Sequence, residues 1–353
     1  MEITNTEEES LAKLLRLIKS GQLENIHLAL EVGQHHPKFQ EKLEAYRKFY
    51  WVVFGEYITK IKAEHLLALT QTQKAIFSET GLGYLPPEVD ILVNVFRLSL
   101  NKNQLAMLPP EIGHLINLRK LYLADNQLNE LPNAINQLTL DTLVLSGNQL
   151  KYLPNFTGNI NQLILLDVSR NILEELPENM GQLSQLRTLN VPNNYLRALP
   201  KDFGQLQKLF FLDLSYNQLL ELPDSFKELD NLLEVNLSNN AFATIPYQLS
   251  QLTNLEKLHL YQNKIENIPA KLFQLQKLNY LDLQGCEITS LDFAPQSSTS
   301  LLNLNLEQNK LEHIPSSIQY LSGLKHLNLR YNPLSPDQIA QVRQWLPNCQ
   351  VIF

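Results

Sequence analysis

Ser238, His259 and Asp282 lie on three successive turns of a repeating pattern and carry a hydroxyl, an imidazole and a carboxylate. On paper that is a nucleophile, a base and an orienting acid, the set used in serine hydrolysis. The same histidine with Asp213 and Asp282 offers donors to a metal ion. Neither chemistry is expected. Ser, Asn and Asp recur in these columns at nearly every turn, so the coincidence is cheap. An open face does not exclude water, and the pattern supplies no oxyanion hole. One imidazole with scattered carboxylates is a poor metal set. Gly81-Leu82-Gly83 is not followed by Lys-Ser/Thr, so it does not form a phosphate loop. The expectation is a non-enzymatic chain with no catalytic, cofactor-binding or metal-binding residues.

These residues owe their placement to a repeat. Leu118 to Asn126 reads LRKLYLADN and is followed by QLNELP. The phrase LxxLxLxxN, then xLxxLPxxIxxL, returns down most of the chain. Its Asn falls at positions 103, 126, 148, 171, 194, 217, 240, 263, 309 and 332, with Cys286 in one slot. The interval is 23 residues except between Asn126 and Asn148, where it is 22. A fixed period of this length marks a solenoid. Leu121-x-Leu123 has the period of a strand, with both leucines inward and Tyr122 outward. Leu128, Leu131, Ile135 and Leu138 are spaced too irregularly for one helix and suit a coil that keeps returning to a narrow core. Such a coil cannot bury its apolar face alone, so neighbours must stack. The Asn side chains are expected to form a ladder that satisfies backbone groups at each turn. Cys286 should interrupt that ladder as a small buried residue.

The pattern resembles the leucine-rich repeat family in its 23-residue LPxxIxxL variety, of a bacterial, intracellular kind, over roughly residues 75–353. The resemblance implies an α/β fold: a curved solenoid with a parallel sheet on its concave side. It also implies binding of another macromolecule, since that is what most members of the family do.

Residues 1–72 do not repeat and read as an all-helical N-terminal domain or cap. Helices are expected from a Thr6–Glu9 capping box to Ser20-Gly21, over about 23–32, from Pro37 to about Phe54, and over about 56–69. Tyr50, Trp51 and Phe54 are a possible second docking surface. Residues 73–332 hold one degenerate repeat, with Thr80 in the Asn slot, and eleven regular ones. The polar run from Leu291 to Ser300 should be less regular. Residues 333–353 form a C-terminal cap: a helix over about 337–345, a last edge strand near Val351, and Cys349 in its core.

The strand pattern also predicts which side chains face outward. Phe211, Tyr216, His259, Tyr261 and Tyr280 should share one region with Asp213, Glu234, Lys257 and Asp282, and Tyr122 should face outward nearer the start. Aromatic residues mixed with charges compose a protein-binding hot spot. The expected partner is another protein, with glycan or cell-wall recognition as the alternative and a hydrolase a distant third.

Composition narrows the partner further. The chain has 353 residues with 29 basic and 36 acidic side chains, a formal net charge of −7. That opposes nucleic acid and anionic membranes. No run approaches the ~18 apolar residues of a membrane span. Two cysteines without a CxxC pair exclude a zinc or dithiol motif. A cytoplasmic monomer is expected.

Overall fold

The computed structural model describes residues 2–353 except 296, 298 and 299, with side chains from residue 7 onward. The chain divides into two compact units, Met1–Gln149 with Thr157–Leu163, and Leu150–Phe156 with Ile164–Phe353.

The first unit opens with four helices: α1 (Glu2–Lys19), α2 (Leu23–Val32), α3 (Pro37–Phe54) and α4 (Ala63–Gln71). α1 begins upstream of the expected Thr6 cap, whose side chain lies outside the described residues. Pro37 opens α3, where it needs no N–H partner. Gly55 closes α3 at φ 67°, a left-handed turn that costs a glycine little. The fourth helix starts seven residues later than its apolar spacing suggested. Ile58 and Ile61 are buried from a non-helical connection instead, because the chain has just been turned at Gly55. Tyr50 is also buried, whereas Trp51 and Phe54 are exposed, so the proposed aromatic trio does not share one surface.

These helices cover the first coil. Phe49 meets Phe77 edge to face at 6.5 Å, and Asn94 donates to the Thr70 carbonyl at 2.8 Å. Two ion pairs cross the same junction, Lys19–Asp90 at 2.6 Å and Lys42–Glu88 at 2.8 Å. The strands β1 (Lys74–Ile76), β2 (Arg97–Ser99), β3 (Lys120–Tyr122) and β4 (Thr142–Val144) then pair in parallel and in chain order.

The second unit continues the pattern with β5 (Leu165–Asp167), β6 (Thr188–Asn190), β7 (Phe211–Asp213), β8 (Glu234–Asn236), β9 (Lys257–His259), β10 (Tyr280–Asp282), β11 (Asn303–Asn305) and β12 (His326–Asn328). All pair in parallel, neighbour to neighbour, at one repeat per step. Helix α5 (Pro336–Trp345) and a final strand, β13 (Gln350–Ile352), close it. β13 pairs with β12, and Val342 is wholly buried. Cys349 is half-buried rather than in the core; burial still raises its thiol to about 11.

In most coils the LPxxIxxL segment winds into a short 3-10 helix. Ile112 N–H donates to Pro109 O at 3.0 Å, and Leu115 N–H to Ile112 O at 3.2 Å. These i→i+3 bonds draw Ile112 and Leu115 into the core, where both are fully buried. No such helix joins β10 to β11 among the described residues. There Phe293 fills the interior against Phe273, ring centres 4.8 Å apart.

The asparagine ladder is present. Asn126 donates to Leu100 O at 2.9 Å and Leu123 O at 3.1 Å, and accepts from Leu105 N–H at 3.1 Å. Thr80 donates to Phe77 O at 2.9 Å in its degenerate slot. Cys286 Sγ reaches the Leu260 carbonyl at 3.4 Å and the Gln284 carbonyl at 4.0 Å. Burial pushes its thiol up to about 11, far from a reactive thiolate.

The residue just before each ladder position is left-handed. Asp125, Asn193, Tyr216, Asn239 and Gln262 have φ between 53° and 58°. Gly147 and Gly285 take the same slot.

Candidate functional site

The strand faces sort as the leucine spacing requires. Leu121, Leu212 and Leu281 are fully buried. Tyr122, Phe211 and Tyr280 are partly exposed on the opposite side.

Strand register builds one contiguous patch in the second unit. Phe211, Glu234, Lys257 and Tyr280 are successive partners across β7 to β10. Asp213, Asn236, His259 and Asp282 form the next row along the same strands. Glu234 ties the rows together. Its Oε2 lies 3.1 Å from Lys257 Nζ and its Oε1 3.4 Å from His259 Nε2. The His259 ring rests against Tyr280, centres 5.0 Å apart.

Asp282 is the most enclosed polar member, 8% exposed. It accepts from Gln284 N–H at 3.1 Å, Asn305 Nδ2 at 2.9 Å and the Tyr280 hydroxyl at 3.4 Å. Burial raises its carboxyl above the usual range despite these donors and the nearby His259. Burial likewise raises the phenols of Tyr261 and Tyr280. Asp213 accepts from Ser215 Oγ at 2.7 Å and Ser215 N–H at 2.9 Å.

Tyr216 and Tyr261 come from turns either side of Ser238, and the Tyr216 phenol adds to the burial that raises Tyr261. Ser238 is fully buried, and its hydroxyl has no hydrogen-bond partner. His259 engages Glu234 and the Asp282 oxygens are held by other donors, so the Ser238–His259–Asp282 series is not wired as a relay. Tyr122 lies on β3 of the first unit, with Arg97 over its ring at 4.9 Å.

Two features escaped the sequence reading. The clamp by Glu234 depends on rotamers across two strands and leaves no local trace. The left-handed slot did leave one, in Gly147 and Gly285 set among Asp125, Asn193 and Asn239. No helix among the described residues is long and apolar enough to cross a membrane.

Two family models match the chain, a leucine-rich repeat region over residues 174–287 and a leucine-rich repeat over residues 117–138. No curated protein matches it. Among solved structures, a leucine-rich repeat protein of Leptospira interrogans is 31% identical with a TM-score of 0.65, over 83% of this chain and 86% of that one. An internalin of Listeria monocytogenes shares the fold at 21% identity with a TM-score of 0.72, over 89% and 88% of the two chains. The plant peptide hormone receptor RGFR1, solved in complex with RGF2, is 29% identical with a TM-score of 0.63, over 74% of this chain and 43% of that one. With its ladder, strand register and these likenesses together, the chain belongs to the leucine-rich repeat family.

Proposed function

We propose that the β7–β10 face binds another protein and that the chain is a non-enzymatic scaffold. The observation that carries this is the Glu234 clamp. It presents Lys257, His259 and Tyr280 as one ordered patch beside Phe211. Ordered aromatic and charged side chains bind well because little conformational entropy remains to be lost. The interior is filled by leucines, so the face offers breadth rather than the deep apolar cleft of a small-molecule site. The peptide complex of the plant receptor supports a protein or peptide ligand. In this reading residues 1–72 cap the first coil, residues 333–353 cap the last, and the chain works as a cytoplasmic monomer.

Affinity capture from native lysate tests the proposal, with the parent chain and a Phe211→Ala/Tyr280→Ala variant side by side and a glycan resin in parallel. A protein held by the parent and released by the variant is the expected result. Equal capture by both, or specific retention on the glycan resin with no protein caught, overturns it.

A further inference from the structure

A row of three cations crosses the outward face of the first unit. Register places Lys74 beside Arg97 and Arg97 beside Lys120. Adjacent strands lie about 4.8 Å apart, so the row spans about 10 Å. All three side chains are exposed. The other outward positions of β1 to β4, such as Ile76, Ser99, Tyr122 and Val144, include no carboxylate. Lys257 holds the same column on β9, and there Glu234 neutralises it at 3.1 Å.

Like charges at adjacent register positions repel. Here aromatic faces hold two of the three without cancelling their charge. Lys74 Nζ sits 5.7 Å from the Phe96 ring centre, and Arg97 4.9 Å from that of Tyr122. A hollow lined by Gln71, Gln73, Asn94 and Phe96 adjoins the row and adds amide donors. Fixed cations that make no ion pair among the described residues, together with side-chain amides, fit a ligand carrying several carboxylates in an extended line. A stretch of about four residues of extended chain covers the row.

We propose that the β1–β3 face docks an acidic segment of a partner protein, a run of aspartates or glutamates laid across Lys74, Arg97 and Lys120. The chain's own charge of −7 disfavours a longer polyanion such as RNA, which would meet repulsion beyond the row. This surface is separate from the β7–β10 patch, and either can fail without the other.

The test is fluorescence anisotropy of a labelled oligoglutamate peptide with the full chain at low ionic strength. Oligoglutamine and oligouridine of equal length are the comparison probes. Oligoglutamate should bind, oligoglutamine should not, and added salt should weaken the complex. Lys74→Gln/Arg97→Gln/Lys120→Gln should lower affinity on the order of tenfold or more. Arg97→Gln alone should give a smaller loss, and Phe211→Ala/Tyr280→Ala no loss. All three positions are exposed, and an unchanged circular dichroism melt confirms that the variants fold. Failure of the parent to bind oligoglutamate, unchanged affinity in the triple variant, equal binding of oligoglutamine, or tighter binding of oligouridine overturns the proposal.

Discussion

Glu234 Oε1 lies 3.4 Å from His259 Nε2, which ties the imidazole to the charged rows of the strand face. The same carboxylate holds Lys257. One residue on β8 thus sets two side chains on β9 and, through the imidazole, steadies Tyr280 on β10. Glu234→Ala should leave the melting temperature almost unchanged, because the carboxylate is partly solvated. It should weaken partner binding roughly tenfold, since Lys257 and His259 would then have to be ordered on binding. Thermal melts and titration of the captured partner check the two halves separately.

Asp282 should make stability pH-dependent. Its folded carboxyl is held above the ordinary value by burial, so the folded state binds the proton more readily than the unfolded one. Its stabilising effect is therefore complete below the usual Asp range, about pH 4. It is lost as pH rises through the raised folded value. Asp282→Asn keeps acceptors for Gln284 and Asn305 without the buried charge. Melts across the pH range should show the variant gaining on the parent from acid to neutral pH. A difference that stays constant with pH would contradict this.

The ladder predicts opposite effects at two of its slots. Asn217 accepts from Leu196 N–H at 3.0 Å and donates to Val191 O and Leu214 O, both at 3.0 Å. Asn217→Ala strands these buried groups and should cost about 3 kcal/mol in urea unfolding, at about 1–3 kcal/mol per buried group. At Cys286 the Ile265 N–H meets only sulfur, a weak acceptor. Cys286→Asn restores the missing rung and should stabilise by about 1 kcal/mol.

The first unit should depend on buried charge and not on exposed charge. Asp90 is 7% exposed and pairs with Lys19 at 2.6 Å. Lys19→Met leaves that carboxylate buried with only the more distant His114, and should cost about 3 kcal/mol. Lys102 pairs with Glu79 at 2.7 Å, but both are largely solvated. Lys102→Met should leave the unfolding midpoint where it is.

The strand register was legible because period and packing are the same constraint: a leucine one place out of phase would face water. The fourth helix was misplaced because Ile58 and Ile61 repeat at helical spacing, and spacing alone does not show that Gly55 has already turned the chain. Which outward residues cluster was readable from the columns. How they engage was not, since Glu234 chooses among rotamers according to neighbours one repeat away. Tyr50 shows the same limit: an aromatic run on a helix does not tell which ring faces the core.

Isothermal titration of a purified captured partner against the parent chain, Phe211→Ala, Tyr280→Ala and Tyr247→Ala tests the β7–β10 interface most directly. Tyr247 is exposed on a 3-10 helix away from the strands, bonded to Asp224 at 2.9 Å. Phe211→Ala and Tyr280→Ala should each cost about 2 kcal/mol of binding, roughly a thirtyfold loss, and Tyr247→Ala should bind as the parent does. Full affinity in both strand-face variants, or a loss confined to Tyr247→Ala, would contradict the proposal.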